Sequence, residues 1–226
     1  MIKELELLSN PKSRVAEAVK TIRTNLEFSA VDEIQKKIMI TSTSPAEGKS
    51  FVTASLAQSY AMSGKKVLII DCDMRRGRQY EIFGVSNNRG LSNILISDLE
   101  GARIETIKTK LKNVFLLPGG TIPPNPSELL ESQKMTEVIH MLEDEYDVLL
   151  FDCPPVIGLS DALIVTKYVD STVIVATYKV TPKELLKKTV KALEGVNAKI
   201  SGVIFNKVPT ASNGYYNRYY DSYYSG

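Results

Sequence analysis

Short, uninterrupted apolar runs alternate along this chain with longer stretches in which apolar residues recur at helical spacing. Lys37 to Ile40, Lys66 to Ile70, Asn113 to Leu117 and residues 147–151, 172–177 and 200–205 read as strands. A run such as Val67-Leu68-Ile69-Ile70, apolar at every position, is that of a parallel strand covered on both faces. Residues 13–29 predict an amphipathic helix with Val15, Val19, Ile22, Leu26 and Phe28 as its apolar positions. Further helices are predicted from Phe51 to Met62, from Ser127 to about Tyr146, near 161–168 and over 182–194. Residues 74–112 are less regular, punctuated by Gly77, Gly84, Gly90 and Gly101, and Pro118 to Pro126 reads as a loop. The alternation predicts an α/β fold with a doubly wound, mostly parallel sheet.

Ligands in such folds bind beyond the carboxyl ends of the strands, and three strand ends here carry chemistry. The first strand leads into Thr41-Ser42-Thr43-Ser44-Pro45-Ala46-Glu47-Gly48-Lys49-Ser50, and the helix beginning near Phe51 follows. That context makes Ser44, Pro45, Ala46, Glu47, Gly48, Lys49, Ser50 and Phe51 a phosphate-binding loop whose N–H groups face an anion. Lys49 would reach the β- and γ-phosphates and Ser50 would ligate Mg²⁺. Thr43 occupies the place where such a loop usually opens with glycine. Val148-Leu149-Leu150-Phe151-Asp152 is an apolar strand ending in a carboxylate placed to hold Mg²⁺, directly or through water; the plainer alternative is a cap on the following turn. Asp71 and Asp73, two residues apart, point to the same side of their strand end. Beside a Mg-nucleotide they would supply a metal ligand and a proton acceptor, with Asp71 preferred as base and Asp73 as its metal-side or alternate partner; alternatively they cap a helix and are neutralised by Arg75 and Arg76. Replacing Lys49 by Met is expected to stop phosphoryl transfer and leave the fold intact.

Composition narrows the partners. A chain of 226 residues with 43% hydrophobic content suits one domain, residues 1–209, followed by a flexible tail, 210–226. A net charge near +2 gives no global field for nucleic acid, so no nucleic-acid partner is expected. Cys72 and Cys153 each adjoin an aspartate rather than standing at metal-ligand spacing, and are expected to be reduced thiols in a cytosolic protein. No apolar run approaches bilayer length, so membrane association is expected through a partner. His140 has no second ligand at metal spacing, and Asp161 either supports the metal shell or caps its helix.

Pro45-Ala46-Glu47-Gly48-Lys49-Ser50, Asp71-Cys72-Asp73-Met74-Arg75-Arg76 and Leu149-Leu150-Phe151-Asp152-Cys153-Pro154-Pro155 together resemble the cytoplasmic bacterial tyrosine kinases (BY-kinases) of capsule and exopolysaccharide loci. The likeness spans nearly the whole chain and makes the three segments Walker A, A′ and B motifs of a P-loop fold of the partition-ATPase type. It implies ATP and Mg²⁺ as cofactors, with Lys49, Asp71 and Asp73 catalytic and Ser50, Asp73 and Asp152 at the metal. Gly77 stands where that family usually has proline, and Ala46 where glycine is common. Glu17, Lys20 and Arg23 resemble the family helix motif that joins protomers into a ring, with Lys20 replacing an arginine; a solvated charged face is the alternative. Tyr215, Tyr216, Tyr219, Tyr220, Tyr223 and Tyr224, six of the 11 tyrosines, match the family's autophosphorylation cluster, although an aromatic tail that binds a partner has the same composition. Asn206 looks like the base-binding asparagine, or a turn former.

The resemblance therefore implies an ATP-dependent protein-tyrosine kinase that phosphorylates its own tail in trans and regulates polysaccharide synthesis or export. Its expected partners are further copies of itself, a membrane adaptor of the polysaccharide co-polymerase type that brings it to the inner face of the membrane, and a protein-tyrosine phosphatase. Two alternatives stay open. A Min- or partition-type ATPase switch shares the fold but requires an early loop lysine where this chain has Ser44. A non-catalytic nucleotide-binding regulator of chain length would keep the same loop.

Overall fold

In the computed structural model, which describes residues 13–28, 35–97 and 104–209, the strands are β1 Lys37–Ser42, β2 Val67–Asp71, β3 Ile107–Lys108, β4 Val114–Leu117, β5 Val148–Asp152, β6 Ser171–Thr177 and β7 Ile200–Asn206. They form one sheet in the order β3-β4-β2-β5-β1-β6-β7, parallel except for the short edge strand β3. After β1 the chain moves to the β2 side, and after β5 it crosses to the β6 side. The order therefore reverses at β1 and β5, and a crevice opens beyond their carboxyl ends.

Strand alternation divides the apolar residues between two cores. Met39, Leu68, Ile70, Leu149 and Phe151 face one side, where they meet Met135, Val138, Ile139 and Leu142 of the helix Gln133–Glu143. Ile38, Ile40, Val67, Ile69 and Leu150 face the other, where Val52, Leu56, Ala57 and Tyr60 of the helix Lys49–Met62 cover them. Each fully buried Leu, Ile or Phe contributes roughly 1.5–3 kcal/mol by leaving water, and unbroken apolar strands supply such residues to both faces. The strand ends are thereby held rigidly in register.

Several elements differ from the pattern read in the sequence. The amphipathic helix runs Arg14–Phe28; Val19 and Leu26 are buried as expected, whereas Phe28 is 76% exposed, beyond the part of the helix that lies on the sheet. The expected long helix from 127 to 146 is two, Pro126–Glu131 and Gln133–Glu143. Ser132 adopts an extended ψ of 153° between them, and its Oγ accepts from the Met135 N–H at 3.3 Å while donating to Leu129 O at 2.7 Å. A serine that bonds backbone on both sides offers the chain an alternative to helix continuation. The irregular stretch after β2 holds the short helices Gln79–Phe83 and Leu91–Ile96. The expected helix near 161–168 is an α-helix over Asp161–Val165 that tightens to a 3₁₀ turn over Thr166–Tyr168. No helix among the described residues is long and apolar enough to cross a membrane.

The Ser132 break is a cap with an energetic consequence. Ser132→Ala is expected to lower the unfolding free energy by about 1 kcal/mol in urea titration, and an unchanged midpoint would place the origin of the break elsewhere.

Candidate active site

The phosphate loop is shaped by its own side chains and by the end of β7. Ala46 (φ 62°) and Gly48 (φ 92°) take left-handed backbone conformations that turn the chain from β1 into the helix Lys49–Met62. Glu47 is buried and points back into the loop: its Oε2 accepts from the Ser44 N–H at 2.9 Å, and its Oε1 accepts from the Thr181 hydroxyl. From β7, the Asn206 amide donates to Glu47 O at 2.9 Å and the Lys207 ammonium donates to Ala46 O at 2.7 Å. A Cβ on Gly48 would lie 2.1 Å from Asn206 Nδ2, so a side chain there would displace the Asn206 amide as well as strain the left-handed backbone. Pro45, Ala46, Gly48, Lys49, Ser50 and Phe51 border an open cleft of about 1010 Å³. Ser44, Glu47 and Asn206 brace the loop from outside that lining, and Asn206 Oδ1 is taken up by the Lys207 N–H.

The three aspartates of the sequence reading meet behind this loop. In the parallel register Asp71 of β2 lies opposite Asp152 of β5, and both are fully buried, with Asp73 5% exposed. Lys49 enters from the first turn of its helix, its Nζ 3.0 Å from Asp73 Oδ2, 3.4 Å from Asp152 Oδ1 and 3.3 Å from Ser50 Oγ. Burial pulls the Lys49 pKa down, but Asp152, Asp73 and Asp71 together raise it well above the ordinary lysine range. Burial, reinforced by the neighbouring Asp152 charge, pushes the Asp71 carboxyl well above the usual range, against the opposing effects of Lys49 and the Gln79 N–H. Asp71 also accepts from the Asp73 N–H at 3.1 Å and the Gln79 N–H at 3.2 Å, which explains why the strand end turns immediately. Cys72 and Cys153, the residues that follow the paired aspartates, are buried and unbridged.

Residues outside the motifs complete the arrangement. Gln79 Nε2 donates to Asp152 Oδ2 at 2.8 Å and to Ser50 O at 3.0 Å. Asp161, read in the sequence as a metal-shell or capping residue, is fully buried and accepts from Arg75 Nε at 2.9 Å and from the Ser127 hydroxyl at 2.5 Å, so its oxygens anchor the turn after β2 instead. Arg75 and Asp161 are 86 residues apart in sequence, and only the arginine's place after the aspartate pair hinted at a partner. Ser50 hydroxyl and the Asp73 and Asp152 carboxylates are hard oxygen donors of the kind Mg²⁺ takes. Among the described residues no cluster of three or more His, Cys, Asp or Glu forms a metal cage.

The residues read as an assembly motif share one helix face but not one role. Glu17 and Lys20 pair at 3.9 Å and, with Arg23, Ser59 and Met62, line a groove of about 250 Å³. Arg23 turns inward and donates to Ser59 O at 3.0 Å, tying its helix to Lys49–Met62. The tail tyrosines lie outside the described residues.

Fold, loop and strand-end aspartates define a P-loop nucleotide-binding protein. An AAA domain family model matches residues 35–202. Tyrosine-protein kinase YwqD of Bacillus subtilis is 38% identical over 94% of this chain and 89% of its own length. Tyrosine-protein kinase Wzc of Salmonella typhimurium is 36% identical over 97% of this chain, which spans 30% of that longer protein. Among solved structures, the chimerical protein CapA2B2 superposes with a TM-score of 0.85 at 36% identity, covering 93% of this chain and 92% of that one. The septum site-determining protein MinD of Pyrococcus horikoshii, solved with Mg-ADP, gives 0.63 at 25% identity over 83% of this chain and 76% of that one. The chain belongs to the bacterial tyrosine-kinase (BY-kinase) family.

The burial of Lys49 corrects the expectation that its removal would spare the fold. Lys49→Met leaves the buried carboxylates without their cation, and breaking a buried pair costs about 3–5 kcal/mol. A carboxyl whose folded pKa is raised destabilises the fold at higher pH and ceases to do so as pH falls through that pKa. The stability deficit of Lys49→Met against wild type is therefore expected to shrink from pH 7 to pH 5 in urea titrations, and a deficit independent of pH would contradict the charge argument.

Proposed function

We propose that this chain is an ATP-dependent protein-tyrosine kinase that phosphorylates the tyrosines at 215, 216, 219, 220, 223 and 224 in trans and thereby regulates capsular or exopolysaccharide synthesis or export. The observation that supports it most is the convergence of Ser50, Asp73 and Asp152 on the Lys49 ammonium behind the phosphate loop, in a chain whose kinase relatives align along nearly all of it. The contrast between a TM-score of 0.85 to CapA2B2 and 0.63 to MinD favours the kinase over the ATPase switch. Ser44 in place of the early loop lysine favours it too.

In this reading the loop N–H groups and Lys49 neutralise charge on the transferring phosphoryl group. Ser50, Asp152 and Asp73 would hold Mg²⁺, which supplies Lewis-acid stabilisation of the phosphate oxygens. With Asp73 assigned to the metal, acceptance of the tyrosine proton falls to Asp71, whose affinity for protons is raised. Asp71 is covered by the turn that carries Gly77, so this role requires the turn to move before a tyrosine hydroxyl can reach it. Asn206 stacks the loop against β7 and is proposed to meet the adenine edge when nucleotide is bound. Further copies of the chain, a membrane adaptor of the polysaccharide co-polymerase type and a protein-tyrosine phosphatase are the proposed partners, with the adaptor holding the kinase at the inner face of the membrane.

The decisive experiment is incubation of purified protein with Mg-ATP and mapping of phosphate by mass spectrometry. Wild type is expected to carry phosphotyrosine within 215–224. Asp71→Asn is expected to lose about 10²–10⁴-fold in turnover, the range for a general base, with ATP affinity little changed. Equal losses in both would make Asp71 a binding residue, and ATP hydrolysis without phosphotyrosine would favour the switch.

Assembly is proposed to use the exposed part of the amphipathic helix. Glu17→Ala with Lys20→Ala is expected to give monomers by light scattering at unchanged melting temperature. Arg23→Ala, which removes the bond to Ser59, should lower that temperature as well. An oligomer that survives the double change takes this helix out of the interface.

A further inference from the structure

Gln79 is fully buried beneath the nucleotide cleft and touches all three motifs at once. Its backbone N–H donates to Asp71 Oδ2 at 3.2 Å, and its Nε2 donates to Ser50 O at 3.0 Å and Asp152 Oδ2 at 2.8 Å. Both partners of Nε2 are acceptors without a proton to give, so the orientation of the amide is fixed by its neighbours. Its Oε1 is equally buried and has no hydrogen-bond partner, an uncommon state for a polar atom in a protein interior. The backbone places the residue there closely: a Cβ on Gly77 would come within 2.6 Å of Asp71 Oδ2 and 2.9 Å of Asp73 O. The turn therefore lies flat on the carboxylates and delivers Gln79 under them.

We infer that Gln79 is a positioning residue for the magnesium site. Resting on the nucleotide-site reading above, the inference adds a residue that belongs to none of the motifs. By holding Asp152 Oδ2, the amide leaves Oδ1 to face the Lys49 ammonium, so the carboxylate presents one oxygen to a cation. By holding Ser50 O, it fixes the residue whose hydroxyl would share that cation. Oε1 remains as a buried acceptor suited to a water of a hydrated ion, since Mg²⁺ in phosphate sites keeps several waters. A residue that filled space alone would need neither the two donated bonds to the candidate ligands nor an unpaired oxygen beside them.

The test reads binding of a fluorescent ADP to the full chain as Mg²⁺ is titrated, with wild type, Gln79→Met and Gln79→Glu compared. Both variants keep the length of the side chain; Met cannot donate to Asp152, and Glu cannot donate when ionised and then repels that carboxylate. Loss of a partner that orients a metal ligand typically costs 10–100-fold. Both variants are expected to need about 10–100-fold more Mg²⁺ for half-maximal binding, with ADP affinity in EDTA unchanged; their melting temperatures fall because two buried acceptors lose a donor, but both stay folded at the assay temperature. A wild-type Mg²⁺ midpoint in either folded variant overturns the inference. So does an equal loss of ADP affinity with and without Mg²⁺, or loss of the fold in both variants, since each makes Gln79 a scaffold residue. Phosphotyrosine is not measured, so failure of the kinase reading leaves this outcome unaffected, and a wild type that binds no Mg-ADP refutes the nucleotide site itself.

Discussion

One buried ammonium balances a cluster of buried carboxylates, and the site depends on that balance. Parallel pairing of β2 with β5 forces Asp71 and Asp152 side by side, and the turn after β2 returns Asp73 to the same spot. Like charges at such proximity oppose ionisation. At 3.0 Å from Asp73, Lys49 has a Coulomb attraction of roughly 5 kcal/mol at an effective dielectric constant near 20, offset in part by the cost of burying both groups. Lys49 can reach that place only because Gly48 permits a left-handed turn that starts the helix at once. Loop, helix and strand ends are thus parts of one electrostatic arrangement.

That arrangement is also a poised one. A lysine held by carboxylates presents its charge to phosphates only by exchanging partners, and the carboxylates need a replacement cation when it leaves. A Mg-nucleotide brings both at once: anionic phosphates for Lys49 and a divalent ion for the carboxylates. Binding at such a site is an exchange of charge partners rather than the filling of a void, and the residues that keep each carboxylate oriented through the exchange matter as much as the ligands. The Arg75–Asp161 pair and Gln79 have that position in the fold, the former anchoring the turn after β2 and the latter beneath the loop.

What the sequence shows about this protein is what neighbouring residues encode. Apolar runs locate six of the seven strands: in β2 and β5 burial on both faces leaves no room for polar alternation, whereas the edge strand β7 is partly exposed, with Phe205 at 53%, and β3, with two residues and one partner, has no such pattern. The loop and the three aspartates are legible because each is a short motif at a strand end. Gln79, Asp161 and the clasp of Asn206 and Lys207 on the loop are not, since their partners lie 73, 86 and about 160 residues away and only the sheet order brings them together. The Ser132 break was hidden for the opposite reason: its cause is local, but a serine inside an apolar helical pattern is compatible with continuation until its side chain is seen bonded to backbone on both sides. Burial of Lys49 has no local signal, since a phosphate-binding lysine suggests an open cleft and the carboxylates that enclose it come from the ends of two other strands.

Fold alone does not separate a kinase from an ATPase switch, because both are built on this sheet and loop. The separation rests on which groups stand free to meet a second substrate. An ATPase needs only a water beside the γ-phosphate, whereas a tyrosine kinase must admit a ring and a peptide backbone to a carboxylate that can take a proton. Here the cleft is wide, bordered by Arg76, Arg78 and Lys207 as well as the loop, and the carboxyl with raised proton affinity lies just behind Asp73 under a turn whose Gly77 has no side chain to obstruct it. The Gly77 turn covers Asp71 in this arrangement, so the proposed kinase reaction demands that the turn move before a tyrosine hydroxyl meets that carboxyl, whereas hydrolysis by a switch demands no such movement.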